Sequence, residues 1–153
     1  MRIILGLLLI FVLGLGAPTA TQLKAFTTDG CSLFPDGNLK NKDAWCDCCI
    51  AHDLAYWQGG TKAQKKQADQ ALKHCVLEKT GNKLLADAMY QGVKLGGHPI
   101  FPNWYRWGYG WPYGRQFQAL NDIEQLLVDN ALRYRAQQPQ SYHCPTWNKL
   151  NSQ

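Results

Sequence analysis

Across 153 residues the chain has no lysine-rich or arginine-rich tract, no internal repeat and no low-complexity segment. The first absence argues against a nucleic-acid partner, because binding phosphates along a strand takes clustered cations. The second argues against a solenoid. Long apolar runs are scarce too. The one from Ile3 to Leu15 is broken by glycines, is too short to span a bilayer comfortably, and has no stop-transfer pattern after it. With Met1-Arg2 before it and Ala17-Pro-Thr-Ala20 behind, it reads as a cleaved signal peptide over residues 1–20 rather than a membrane anchor. No lipobox cysteine follows, so no lipid anchor is implied. Residues 21–153 then form a single domain of roughly 130 residues, enough for one modest core.

Charge is sparse and slightly basic: 16 Lys and Arg against 11 Asp and Glu. Losing Arg2 with the leader leaves 15 against 11, a net charge of +4. Such a mild excess favours anionic surfaces such as phospholipid headgroups. An export signal also implies an oxidising compartment, in which the six cysteines (Cys31, Cys46, Cys48, Cys49, Cys75 and Cys144) read as three disulfides. Six cysteines allow 15 pairings, so their count does not fix the connectivity.

The chain is organised around Cys46-Asp-Cys-Cys-Ile-Ala-His-Asp-Leu-Ala-Tyr-Trp57. On a helix Cys48, His52 and Tyr56 share one row, and Cys49 and Asp53 the next, about 100° around. The plain reading is a stapled helix whose His52 and Asp53 face solvent. The sharper one is a site where Asp53 holds a cation and His52 moves a proton. A zinc site built from Cys46, Cys48, Cys49 and His52 is a third possibility, disfavoured where cysteines are oxidised.

Upstream, Asp29-Gly-Cys-Ser-Leu-Phe-Pro-Asp-Gly37 is a turn-rich loop, either an ordinary tied loop or one that turns carbonyls toward a hard cation. Asn41 or Asp43 can cap the first helix, Gly59-Gly60 ends it, and Thr61 can cap a second from about Lys62 to Lys79. The second helix carries Asp69, Leu72, Cys75 and Val76 on one face, with Lys65, Lys66 and Lys73 on or near the solvated side. A short loop makes the two helices antiparallel. If Cys48 is bonded to Cys75, His52 lies about 6 Å along one helix and Asp69 about 9 Å along the other, in the same direction in space. Asp69 then reaches His52 as the carboxylate that orients a general base.

These residues resemble a known family. The pattern Cys48-Cys49-x-x-His52-Asp53-x-x-Tyr56, with Asp69 six before Cys75, is similar to that of secreted phospholipase A2 over roughly residues 29–76. The resemblance implies an all-α, mainly helical fold with a disulfide-linked antiparallel helix pair carrying the active site and a calcium-loop-like segment before it. It implies His52 as general base, with Asp69 and Tyr56 holding its tautomer, and Ca2+ on Asp53 and the carbonyls of Gly30, Ser32 and Phe34. It implies bridges Cys31–Cys49 and Cys48–Cys75, leaving Cys46 and Cys144 over. Cys46 lies about 200° around the helix from Cys48, placed to tie the C-terminal tail to the outer face. The expected activity is calcium-dependent hydrolysis of the sn-2 ester of glycerophospholipids at a membrane surface. The alternative is an inactive binding or membrane-active domain on the same scaffold. Two departures stand out. Ala55 and Ala68 occupy positions where the family carries a bridged cysteine pair, and Pro35 sits where its loop is rich in glycine.

Beyond the second helix the resemblance gives no residue-level help. Lys83 to Leu95 reads as a third helix with Leu85, Met89 and Val93 on one face. The aromatic loop 99–113 is either a membrane-interface patch, a second piece of core or, with only Arg106 and Arg115 near, a base-stacking platform. A fourth helix is expected over about 116–135, with Phe117, Leu120, Ile123, Leu127 and Leu132 covering the core. A polar tail held by Cys144 completes the chain.

Overall fold

A computed structural model describes residues 22–138. The expected leader and the Cys144 tail lie outside them. Four helices and no strand occur among the described residues: α1 Cys46–Gln58, α2 Lys62–Thr80, α3 Lys83–Gly96 and α4 Asp122–Gln137. Local chemistry sets most of the ends. Thr61 and Gln64 form a reciprocal capping box at the start of α2. Gly81, at φ 64°, closes it in the left-handed conformation that an L side chain resists. Asn82 then caps α3 through the Leu85 amide. The expected cap of α1 differs. Trp45 stands at its N-cap without a side-chain bond, and Asn41 instead accepts from the Asp43 amide two residues on.

Disulfides Cys31–Cys49 and Cys48–Cys75 tie the loop to α1 and α1 to α2. No cysteine is free among the described residues. Bridges of this kind belong to an oxidising environment. Cys46 is also disulfide-bonded; its expected partner Cys144 lies outside the described residues. Cys46 is fully buried but belongs to none of the core clusters. No described helix is long and apolar enough to cross a membrane.

The helix α2 packs against both α1 and α3. Between them Trp45, Cys48, Cys49, Leu72, Val76, Ala86 and Met89 form the main core cluster. A second cluster holds Tyr56, Ala68 and Trp107, with Ala55 packed against it. A third joins Trp57 and Trp111 to Val128 of α4. The aromatic loop is therefore core in part. Trp107 and Trp111 are 2% and 0% exposed, while Trp104, at 59%, remains outside together with Ile100, Phe101 and Tyr113. Arg106 is no headgroup cation either. It is buried and donates to the carbonyls of Trp107, Gly108 and Trp111, holding the loop in shape from within. Each buried indole N–H finds a carbonyl, Trp107 on Gly60 and Trp111 on Gln58.

The fourth helix starts later than expected. Gln116 has a φ of 60°, which is incompatible with a helical start, and the chain turns helical only after Asn121, capped reciprocally with Glu124. Ile123 lies in solvent, 69% exposed, rather than on the core face, and Val128 is buried. Arg115 is held by both oxygens of buried Glu124.

Candidate functional site

The antiparallel packing of α1 and α2 brings the row Cys48, His52 and Tyr56 against Asp69. His52 Nε2 lies 3.2 Å from Asp69 Oδ1, and the Tyr56 hydroxyl donates to the same oxygen at 2.6 Å. Lys65 Nζ donates to the other oxygen at 2.8 Å and to the Val93 carbonyl at 3.1 Å. All four side chains are buried. Lys65, expected on the solvated side, is 5% exposed and ion-paired. Its i,i+4 spacing to Asp69 is the sequence signal that would have placed it there.

Burial alone pushes the Asp69 carboxyl up, but hydrogen bonds from His52, Lys65 and Tyr56 outweigh it and hold the group below its ordinary range. For His52 burial wins. Its pKa is lowered despite the Asp69 contact, so the ring is neutral at pH 7. A neutral ring that donates Nε2–H to Asp69 leaves its lone pair on Nδ1. Among the described residues no protein group bonds Nδ1, and the ring lines an open cleft of about 100 Å³.

Asp53 lines the same cleft, together with Gly30, Ser32 and Phe34. Its carboxyl is pushed up to about 7, mainly by burial, with Asp29 and Asp36 adding repulsion and a hydrogen bond from Thr28 opposing. Thr28 links loop to helix: its hydroxyl donates to Asp53 Oδ2 at 2.6 Å and accepts from the Gly30 amide at 3.2 Å. Sequence reasoning missed Thr28, whose contact spans 25 residues and leaves no local signal. The loop itself is tightly specified. Gly30 has φ +79°, and a Cβ there would collide with the Asp36 carboxylate, which accepts from the Cys31 amide at 2.7 Å. Trp45 Nε1 anchors the Pro35 carbonyl at 2.7 Å.

Family models, curated proteins and solved structures give no match to the chain.

The site must therefore be read from its own chemistry. A zinc centre is ruled out among Cys46, Cys48 and Cys49, because all three are disulfide-bonded and offer no thiolate. No described group of three or more His, Cys, Asp or Glu converges on a metal. The donors near Asp53 are instead one carboxylate and the residues whose backbone carbonyls the loop carries. That is an all-oxygen set, suited to a hard cation such as calcium. Asp53 fits this role for a second reason: it is a half-buried carboxylate repelled by Asp29 and Asp36, with no described cation paired to it.

Proposed function

We propose that the chain is a calcium-dependent, phospholipase A2-like hydrolase acting on the sn-2 ester of glycerophospholipids. One observation carries the reading. The His52 ring, with Nε2 3.2 Å from Asp69 Oδ1 and Nδ1 unbonded among the described residues, lines a cleft shared with Asp53 and the Gly30–Phe34 loop.

The work of this chain's residues follows from that arrangement. His52 Nδ1 takes a proton from a water placed in the cleft, and the proton later goes to the leaving alcohol. Asp69 keeps the tautomer that leaves Nδ1 free and stabilises the ring once it is charged. Tyr56 and Lys65 hold Asp69 in place. Asp53 and the carbonyls of Gly30, Ser32 and Phe34 would hold calcium, which, when bound, polarises the ester carbonyl and stabilises the developing oxyanion. Leu72, Met89 and Val93 line the cleft with apolar surface suited to an acyl chain.

The test is release of labelled fatty acid from a phospholipid carrying the label at sn-2, with calcium and with a chelator. Release that needs calcium supports the reading. No release from either arm, under conditions where His52 and Asp53 are intact, leaves the inactive binding domain as the better account.

A further inference from the structure

On the far side of Asp69 lies a second, wider cavity of about 610 Å³. His52 opens to the first cleft and Asp69 to this one, so the buried pair forms the wall between them. Lys62, Lys66 and Lys94 line the cavity, with Tyr90, His98 and Phe117. We infer that this groove is a binding site for a phosphate group, free or carried by a lipid, gathered by Lys62, Lys66 and Lys94.

The ion-pair inventory supports this. All 11 acidic side chains of the sequence fall within the described residues. Lys65 is committed to Asp69, Lys73 and Lys83 to Asp87, Lys79 to Asp47 and Arg115 to Glu124. Lys62, Lys66 and Lys94 have no carboxylate among the described residues; Lys94 Nζ instead lies 5.9 Å from the Tyr90 ring centre. Lys62 and Lys66 are one helical turn apart, so they share a face. Three like charges converging on one concavity repel each other unless an anion sits among them.

Further donors surround the same space. The capping box satisfies the Thr61 and Gln64 amides and leaves those of Lys62 and Ala63 open at the N-terminus of a 19-residue helix. The His98 Nδ1 accepts from the Ile100 amide at 3.2 Å, which leaves Nε2–H to donate. Its ring stands edge-on to Phe117, 5.1 Å away. Ammonium groups, helix amides and an imidazole N–H suit a multiply charged oxyanion. None of this depends on hydrolysis in the other cleft.

The site can be tested on the full, oxidised chain at pH 7 and about 0.1 M salt, where exposed charges more than about 10 Å apart are screened. The His98 ring signals are followed by NMR while inorganic phosphate, or monomeric dihexanoyl phosphatidic acid, is added. A saturable shift is expected. The double variant Lys66→Gln/Lys94→Gln should raise the midpoint at least tenfold. Lys40→Gln/Lys42→Gln, on the turn before α1, should leave it within twofold. Saturation by inorganic phosphate shows that the free anion suffices. Saturation by phosphatidic acid alone assigns the site to a lipid headgroup. A linear drift with both probes, or equal weakening in the two double variants, overturns the inference.

Discussion

Replacing Asp69 by Asn tests the buried centre most directly. Asparagine keeps the shape and one acceptor oxygen, so Tyr56 and His52 can retain their bonds. The oxygen that meets Lys65 at 2.8 Å becomes an NH2 group, and Lys65 is left as a buried ammonium with only the Val93 carbonyl. Both side chains of this pair are nearly excluded from solvent, 6% and 4% exposed, so water does not rescue the charge. Breaking such a pair from one side costs about 3–5 kcal/mol. For a domain of this size that lowers the melting temperature by roughly 10–20 °C. Urea titration followed by tryptophan fluorescence, with the disulfides intact, measures it. Removing both charges in Lys65→Met/Asp69→Asn should recover about 2 kcal/mol or more relative to Asp69→Asn. The pH dependence has a definite sign. Burial already lowers the Lys65 pKa in the parent, and losing the Asp69 carboxylate lowers it further, so the penalty shrinks as pH rises toward about 10. A loss under about 1 kcal/mol, or no recovery in the double variant, would refute a dry, coupled Lys65–Asp69 pair.

Three further outcomes follow from the same geometry. His52→Gln should cost several orders of magnitude in sn-2 hydrolysis, and the parent's rate should rise with pH through a value below 6.5, since burial favours the neutral base; a profile rising only above pH 7 speaks against it. For Asp53, whose carboxyl is pushed up to about 7, stability falls as pH climbs from the unfolded value of about 4 to about 7 and levels off above that. In a chelator, Asp53→Asn should therefore melt higher than the parent at pH 8, by a margin that shrinks steadily toward pH 4, while calcium should raise only the parent's melting point; a calcium response in both moves the cation elsewhere. Trp107→Ala should cost about 3–5 kcal/mol of stability, whereas Trp104→Ala should change it by less than about 0.5 kcal/mol; comparable losses from both would mean that Trp104 is packed after all.

What the sequence made legible was what short-range rules govern. The α1 row, the Thr61 cap and the ends of α2 and α3 all depend on residues within a turn or two, and the Asp69 approach follows once the two helices are antiparallel and bridged at Cys48 and Cys75. The start of α4 was misread because Phe117 and Leu120 imitate helical spacing, while the decisive Asn121-x-x-Glu124 box lies further on. Grouping Lys65 with Lys66 and Lys73 on the solvated side overlooks its four-residue spacing to Asp69, which puts both on one face. The aromatic loop was illegible for a different reason. Its shape depends on Arg106 turning back onto three carbonyls of its own loop, and on indole N–H groups reaching Gly60 and Gln58 across some 50 residues, contacts that no local pattern encodes.

The two helices that carry His52 and Asp69 are fastened differently at their two ends. Near one end the Cys48–Cys75 bridge closes a 27-residue separation, worth roughly 3.5 kcal/mol as a constraint on the unfolded chain. Near the other, beside Ala55 and Ala68, the fastening is Trp107 wedged against Tyr56. A thiol reductant loosens only the first, while urea or cold weakens mainly the second. The His52–Asp69 contact lies between two clasps that fail under different stresses, so a single mild insult leaves one of them closed.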